Sequence, residues 1–383
     1  MKVLTVISKL EMGGIEKTLL SCLPYLIKNG VQMSILCSLG GELDDDYKAL
    51  GVELIDFGSN KKPFKDARFL KQILSERKFG VVHSRYGHTS GLFAKVCHDL
   101  NIPFVVSIHN ERAMFRNNWI DKPLLGFVRK SYLDYHKKLT LKYATKIVGH
   151  SKANLRYFTD KVDDLPAESQ LQVLYNGVDF SKFHDYPALS PEKQRELDNF
   201  LTNADRVFVH IGSFKEQKNH RFLIDVFKKL NPIENNYYLI LLGIGSLMDS
   251  IKVHAAEQGI DRHVLFVGMQ TNIAPYLYRS DVFVFPSLYE GFGNVLIEAQ
   301  YTNLPVAASA IAPHYEATEK GYHQFLYSPT DVDDATEKIK KLLSTDLDSQ
   351  KKTAKVFAEG FSVENMVSNL MDIYKNSMNG NYH

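Results

Sequence analysis

Short apolar runs alternate with longer amphipathic stretches along almost the whole chain. In the first half the apolar runs predict β-strands at residues 3–7, 33–37, 52–56, 81–83, 104–108, 146–149 and 172–174. The stretches between them predict helices at 15–28, 67–78, 89–100, 123–143 and 152–158. Strand–helix alternation of this kind is typical of α/β domains, in which a parallel sheet is covered by helices on both faces.

The second half repeats the pattern, with strands predicted at 207–211, 238–242, 264–267, 282–285, 306–308 and 324–326. Its helices are predicted at 220–230, 247–258, 273–278, 294–301 and 331–343. Two sheets of about six strands each are favoured over one sheet of twelve. The polar segment 176–205, which contains Pro187 and Pro191, is the predicted irregular seam between them. We therefore expect domains at 1–180 and 181–360, and a C-terminal helix within 361–383 that packs back on the first domain.

Composition and charge narrow the class of protein. The three cysteines form no CxxC pair, which favours reduced thiols in a reducing compartment. The apolar run at the N-terminus is too short for a signal peptide, and no run approaches the ~18 residues of a membrane span. These features predict a cytoplasmic protein.

The charges are distributed unevenly along the chain. Residues 1–185 carry 27 Lys and Arg against 20 Asp and Glu, whereas the remainder carries 19 against 24. The basic half is a candidate for binding phosphate or a membrane, and chance variation between two surfaces explains the asymmetry equally well.

Residues that directly follow strands are the candidates for chemistry, because ligands of open parallel sheets bind beyond the carboxyl ends of the strands. Gly13 and Gly14 lie between the first strand and its helix, where backbone N–H groups can meet an anion. His109 directly follows the fifth strand, and His83, Arg85 and His88 follow or end the fourth. A buried structural role is the more common one for any single histidine.

In the second half, Gly212 and Ser213 follow the first strand, and Lys215 and Lys218 come next as cations that can reach a phosphate. Gly243 and Gly245 follow the second strand, but Met248 stands where a dinucleotide-binding fingerprint has its third glycine. The third strand is followed by Met269, with no acidic residue for a ribose. These departures count against a nicotinamide cofactor.

The densest segment follows the strand at 282–285. It contains two carboxylates, two glycines and a residue expected to cap the next helix: Glu290, Gly291, Phe292, Gly293, Asn294 and Glu298. A helix N-terminus with flexible glycines suits a diphosphate. Carboxylates beside a phosphate are unfavourable unless they bind hydroxyl groups, as in a sugar.

The pair Glu290 and Glu298, with Gly291-Phe-Gly293 between them, resembles the motif of retaining GT-B glycosyltransferases, in particular glycosyltransferase family 4. Five further features agree in order and position: Gly13-Gly14, His109, 176–179 at the seam, Lys218 and Pro286-Ser287. The resemblance implies a GT-B fold, in which two Rossmann-like doubly wound domains face a central cleft. The first domain would bind the acceptor and the second the nucleotide sugar.

The resemblance also implies roles for particular residues. Glu290 would bind hydroxyls of the donor sugar, Lys218 would neutralise the leaving diphosphate, and His109 would lie beside the reacting sugar; these three are the expected catalytic residues. Glu298 would bind the ribose hydroxyls. The other expected nucleotide-sugar contacts are Gly13, Gly14, Gly212, Ser213, Gly243, Met269, Gly291, Phe292, Gly293 and Asn294.

The function implied is transfer of a hexose or N-acetylhexosamine, with retention, from a UDP-sugar to a lipid-linked glycan of a bacterial surface polysaccharide. No cofactor, metal or nucleic acid is expected, and Asp331 in a DxD pattern reads as a helix cap. The family usually has arginine where this chain has Ser213, so Lys215 or Arg221 would have to substitute. A sugar-nucleotide 2-epimerase of the same fold and a non-catalytic binding subunit are the alternatives.

The basic and aromatic stretch 112–143 adds one expectation. A helix of this composition can lie on an anionic membrane, or it can pack one face into its own domain. We favour contact with the inner face of the cell membrane.

Overall fold

A computed structural model describes residues 1–58, 63–109, 123–165 and 169–379. The chain divides into two compact units, one formed by Met1–Gly177 with the segment from Val363 onward and the other by Val178–Ser362. Each unit is built on one parallel sheet, with seven strands in the first and five in the second. The predicted α/β class and the presence of two sheets are therefore confirmed.

The sheet of the first unit has the order β3-β2-β1-β4-β5-β6-β7. Its strands are β1 Lys2–Lys9, β2 Gln32–Ser38, β3 Glu53–Asp56, β4 Val81–Ser84, β5 Phe104–Ile108, β6 Lys146–Gly149 and β7 Leu171–Val173. The helices are α1 Gly14–Lys28, α2 Asp44–Ala49, α3 Pro63–Glu76, α4 Gly91–Asp99, α5 Pro123–Tyr143, α6 Lys152–Leu155 and, from the C-terminus, α15 Val363–Asn379.

Both faces of this sheet are buried, which explains why its strands read as continuous apolar runs. Successive residues of a strand point to opposite faces, so Val3 and Leu4 belong to different core clusters. Helices α1 and α15 cover one face, where Cys22 and Met366 bring their sulfur atoms within 3.7 Å. Tyr374 of α15 also bonds His83, with 2.7 Å between its hydroxyl and Nδ1. The C-terminal helix is thus part of the first unit's core.

The sheet of the second unit has the order β10-β9-β8-β11-β12. Its strands are β8 Arg206–Ile211, β9 Tyr237–Leu242, β10 Val264–Gly268, β11 Val282–Phe285 and β12 Val306–Ala308. Its helices are α7 Pro191–Phe200, α8 His220–Lys229, α9 Met248–Glu257, α10 Ala274–Tyr278, α11 Asn294–Tyr301, α12 Ala312–Ala317, α13 Val332–Ser344 and α14 Asp348–Glu359.

The strand predicted at 324–326 is wrong. The segment falls largely in a 3₁₀ turn, Lys320–Phe325, whose start is capped by the Glu319 carboxylate accepting from the Gly321 N–H. A single parallel bridge, Ser309 to Tyr327, follows it. The seam is also not irregular throughout, because Ser190 caps α7 and Pro191 occupies its first turn. Among the described residues no helix is both long and apolar enough to cross a membrane.

Candidate functional site

The second sheet reverses its strand order between β8 and β11. At such a point the loops that leave the two neighbouring strands diverge and open a crevice at the carboxyl edge of the sheet. The loop after β8 carries Lys218, and the loop after β11 carries Glu290. The two loops are tied together because the Gln217 side-chain amide donates to the Tyr289 carbonyl at 2.8 Å.

Lys218 and Glu290 form an ion pair in this crevice. The lysine Nζ lies 2.5 Å from the Glu290 Oε1, and the two side chains are only 16% and 10% exposed. The ammonium group also lies 4.6 Å from the centre of the Phe285 ring, a cation–π contact. Partial burial strengthens such a pair relative to one on the surface. The sequence-predicted catalytic residues of this unit are therefore adjacent.

Glycines after β8 and β9 allow the two loops to interlock. A β-carbon at Gly212 would lie 3.1 Å from Lys218 Cγ, so the glycine makes room for the lysine stem. Gly243 has φ +136°, and a β-carbon there would collide with the Gly212 carbonyl oxygen. Phe214, next to Ser213, donates its N–H to the Ile244 carbonyl at 3.0 Å. Packing thus accounts for Gly212 and Gly243, and their contact with a nucleotide sugar remains a prediction.

The turn after Glu290 leads into α11. Gly293, in the left-handed region at φ +106°, is the N-cap, and Asn294 is the first helical residue. The expectation that the Asn294 side chain caps this helix is therefore wrong. Only glycine adopts this backbone conformation without strain, and the N-cap makes no side-chain bond to the N–H groups of the first turn. The N-terminus of a helix is a place where an anion such as a diphosphate can be bound.

Glu298 lies one turn into α11 and is buried. Its Oε1 accepts from Lys182 Nζ at 2.5 Å, although the lysine side chain is 42% exposed. Phe292 is buried and packs on Phe361, with 5.4 Å between ring centres. Met269 follows β10 and is 56% exposed. The carboxylates at 290 and 298 are thus both held by lysines, and neither lysine–carboxylate pairing was predicted.

His314 is a site residue that sequence reasoning missed. It is fully buried, its Nδ1 lies 2.8 Å from the Ser309 carbonyl, and its Nε2 has no hydrogen-bond partner. Burial lowers the pKa of His314 to about 4 despite the nearby Glu290 carboxylate. The ring is therefore neutral at pH 7, with its proton on Nδ1, so Nε2 is an acceptor. Its place on α12, the helix that follows β12, is the signal that could have found it.

In the first unit, Gly13 is the N-cap of α1 and Gly14 is its first residue. A side chain at Gly14 would meet open space, so packing does not require a glycine there. His109 stacks on His150 with 4.4 Å between ring centres, and its buried Nε2 has no partner. Burial, reinforced by His150 and Arg85, holds the pKa of His109 well below its usual value. His109 is a neutral group at pH 7.

Metal-binding patterns find no support among the described residues, where no cluster of three His, Cys, Asp or Glu side chains could hold an ion. Asp44, Asp45 and Asp46 form the first turn of α2, and Asp44 accepts from the Gly40 N–H at 2.8 Å. Asp331 caps α13 by accepting from the N–H groups of Asp333 and Asp334. The prediction that Asp331 is a cap is confirmed. The first part of the basic stretch, 112–122, lies outside the described residues.

Comparison with solved structures shows the fold. A glycosyltransferase from Rickettsia africae superposes with a TM-score of 0.79 at 21% identity, covering 99% of each chain. Anabaena HepE, solved in complex with UDP, gives a TM-score of 0.77 at 19% identity over 98% of this chain and all of its own. Together with the two parallel sheets, these neighbours confirm the GT-B fold.

Sequence comparison shows the family. The model of glycosyltransferase family 4 matches residues 12–182, and the model of glycosyl transferases group 1 matches residues 193–359. A UDP-Gal:α-D-GlcNAc-diphosphoundecaprenol α-1,3-galactosyltransferase of Escherichia coli is 24% identical over 95% of this chain and 94% of its own. The capsular polysaccharide biosynthesis glycosyltransferase CapH of Staphylococcus aureus is 26% identical over 83% of this chain and 84% of its own. The chain belongs to the group 1 glycosyltransferases of the GT-B fold.

Proposed function

We propose that this glycosyltransferase moves a hexose or N-acetylhexosamine from a UDP-sugar to a glycan hydroxyl, with retention and without a metal. The acceptor is a lipid-linked glycan of a bacterial surface polysaccharide, in keeping with the relatives named for capsule biosynthesis and for a diphosphoundecaprenol-linked sugar. The observation that carries the proposal is the Lys218–Glu290 pair beside the N-terminus of α11. It offers a cation and N–H groups to a diphosphate and a carboxylate to sugar hydroxyls.

The chemistry requires the bond between the anomeric carbon and the phosphate oxygen to break while the acceptor oxygen bonds to the same face of that carbon. The acceptor's hydroxyl proton passes to the released diphosphate, which balances the step. Lys218 and the α11 N–H groups stabilise the negative charge that develops on the diphosphate. Because the lysine pairs with Glu290, donor binding exchanges partners: phosphate for the lysine and sugar hydroxyls for the carboxylate.

His314 contributes a neutral acceptor to the same site. A β-carbon at Gly293 would lie 3.7 Å from His314 Cδ2, so the ring lies against the turn that enters α11. A neutral Nε2 accepts from a hydroxyl but offers nothing to a phosphate oxygen. We assign it to a hydroxyl of the donor sugar.

The test incubates purified full-length protein with a panel of UDP-sugars and a water-soluble diphosphate-linked N-acetylhexosamine acceptor. A lengthened glycan with the anomeric configuration of the donor, read by NMR, is expected with and without EDTA. A new UDP-sugar without transfer would identify an epimerase, and an inverted linkage would overturn retention. Loss of transfer on chelation, restored by Mg²⁺ or Mn²⁺, would overturn the metal-free mechanism. Glu290→Gln, which should lower kcat, is the matched control.

We further propose that α5 contacts an anionic membrane. Phe127 is 67% exposed, and Lys130, Lys138 and Lys142 are exposed on the same helix, with helical spacing that puts all four on one face. Lys137 does not belong to this face, because its Nζ donates to the Tyr157 carbonyl at 2.5 Å. Each surface cation contributes about 1 kcal/mol near an anionic leaflet.

The membrane proposal is tested by co-sedimentation with vesicles that contain phosphatidylglycerol. Lys130→Glu with Lys138→Glu should abolish binding, whereas Lys340→Glu with Lys352→Glu, which changes exposed lysines of the other unit, should not. Binding should also fall as salt is raised, since screening removes the attraction. Binding that is unaffected by salt or by the α5 variant would contradict the proposal.

A further inference from the structure

The first sheet has its own reversal of strand order, between β1 and β4. A cavity of about 340 Å³ lies at this place, within the first unit. It is lined by Ile15 after β1, Arg85 and His88 after β4, His109 after β5, and Arg129 and Tyr132 on α5. Beyond the carboxyl ends of strands at a switch point is where open parallel sheets bind ligands.

Arg85 is the unusual residue of this cavity. It is only 6% exposed, and its Nε is buried without a hydrogen-bond partner. None of the ion pairs found in the described part of the chain involves it. A buried, permanently charged guanidinium without a counter-charge is costly to fold. A residue of this kind is explained if an anionic ligand supplies the missing charge.

The described residues that line this cavity supply no negative charge. The nearby His83, His109 and His150 are buried, and burial is the main reason why the pKa of each is lowered. Nearby positive charge, including that of Arg85, lowers it further. Burial also lowers the pKa of His88 to about 3. The described lining residues contain no carboxylate, and the second arginine, Arg129, adds a further cation. The cavity therefore presents two guanidinium groups and neutral rings.

The size of this cavity, and a second cavity next to it, indicate what else the ligand contains besides the anionic group. Its volume is that of roughly ten water molecules, enough for a phosphate group with part of a sugar attached. A second cavity of about 240 Å³ shares Tyr86, Thr89 and Tyr132 with it and is also lined by Phe57, Phe93 and the carboxylate Asp66. Aromatic rings and one carboxylate next to a cationic cavity fit a molecule that joins a phosphate to a sugar, whose face packs on rings and whose hydroxyls a carboxylate can bind.

We propose that Arg85 and Arg129 bind the phosphate that links the acceptor's first sugar to its lipid. This inference rests on the proposed function, since it assigns the substrate group that the first unit recognises. Guanidinium forks bind phosphate oxygens in pairs, which gives direction as well as affinity. The donor's diphosphate is the other source of such a group. Most residues expected to bind it lie around β8 and β11 of the second unit, but Gly13 and Gly14, which precede the cavity residue Ile15, are also expected donor contacts, so UDP is one of the probes.

Calorimetry on the full chain tests this directly, with three probes: a short-chain alkyl diphosphate of N-acetylglucosamine, the matching alkyl glycoside without phosphate, and UDP. Arg85→Gln should weaken binding of the alkyl diphosphate about 10- to 100-fold, the loss expected for a charge-assisted hydrogen bond. The alkyl glycoside and UDP should bind within about twofold of wild type, since neither would use Arg85. Lys71→Gln, at an exposed lysine on α3, is the matched control and should change nothing.

Two further variants test the assignment even if Arg85→Gln does not fold. Arg129 is exposed, so Arg129→Gln should fold normally and still weaken the alkyl diphosphate several-fold. Arg85→Lys keeps the charge but not the fork, so its loss should be smaller than that of Arg85→Gln.

Three results would overturn the assignment: unchanged binding of the alkyl diphosphate in both glutamine variants, equal weakening of the neutral glycoside, or weakening of UDP, which would place the donor's diphosphate in the cavity. The measurement needs no transfer, so a failure of the proposed reaction would not be mistaken for a failure of this site.

Discussion

The two sheets each reverse strand order once, and the two places are built with opposite electrostatics. At β8 and β11 the cation Lys218 is paired with Glu290, and nearby Glu298 is paired with Lys182. At β1 and β4 the cation Arg85 is buried among neutral histidines and has no carboxylate among its described contacts. The same topology therefore carries two different arrangements of charge.

Each arrangement of charge suits a different kind of ligand. The site with the Lys218–Glu290 pair can bind a ligand that has both phosphates, for the lysine, and hydroxyls, for the carboxylate. Neither charge is then left without a partner, whether the ligand is bound or absent. An unpaired site is complementary to one purely anionic group, because its counter-charge comes only with that group. The two sites differ in this way only if Lys218 and Glu290 act as a unit and if the histidines around Arg85 stay neutral.

The largest effect is expected at the Lys218–Glu290 pair. Lys218→Met should lower kcat about 10²- to 10³-fold, because charge on the departing diphosphate is no longer neutralised. Glu290→Gln should lower kcat as well. In the double variant the loss should be close to that of the worse single variant, since partners in one unit are not additive. Steady-state kinetics of the three proteins measures this, and additive losses would show that the pair is not a unit.

Glu298→Gln should act on binding and not on turnover. Ribose contacts are made in the ground state and the transition state alike, so KM for the donor should rise about 10- to 100-fold while kcat stays within about threefold. Lys182→Met is the control. The Lys182 side chain is 42% exposed, so solvent screens its charge, and its removal should change KM by less than about threefold. A fall in kcat with unchanged KM for Glu298→Gln would contradict the assignment of this carboxylate to ribose.

The neutral histidines around Arg85 predict loss of stability in acid. His150 has a pKa of about 3 in the folded protein, lowered first by burial and then by Arg85, against about 6.5 when unfolded. Between these values the unfolded chain binds more protons, so stability is full above pH 6.5 and falls as pH is lowered. At pH 5 one such histidine costs about 2 kcal/mol of unfolding free energy.

This prediction is checked by denaturant unfolding at pH 7 and pH 5, followed by circular dichroism. His150→Gln, which keeps a donor for the Leu174 carbonyl, should lose about 2 kcal/mol less than wild type between the two pH values. His98→Gln, at an exposed histidine on α4, should behave as wild type. If His150→Gln shows the wild-type pH dependence, this ring is not kept neutral by the fold.

The sequence predicted the parts of the molecule whose signal is local. Apolar runs bounded by polar turns located the twelve strands of the described residues to within two residues, and the order of elements placed Lys218 and Glu290 in loops that each follow a strand. It failed where a short polar segment folds through its own capping, as in the 3₁₀ turn after Glu319 and in the first turn of α7 at Pro191. The pairing of Lys182 with Glu298 joins residues 116 positions apart, which no local pattern contains.

The smallest effect concerns Ser213, where the family usually has arginine. Lys215 in the loop and Arg221 in the first turn of α8 flank Lys218 and are exposed, so we expect one of them to serve as the second cation for the diphosphate. Ser213→Arg should therefore leave kcat unchanged, or lower it if the larger side chain disturbs the tight contact between this loop and Ile244.

Removal of the substitute cation, in Lys215→Ala or Arg221→Ala, should lower kcat about tenfold. This loss is smaller than the loss expected for Lys218→Met, because solvent and salt screen exposed charges. A rise in kcat for Ser213→Arg would show that the missing arginine is a true loss. If none of the three variants changes kcat, the loop has no second electrostatic role and the paired site depends on Lys218 alone.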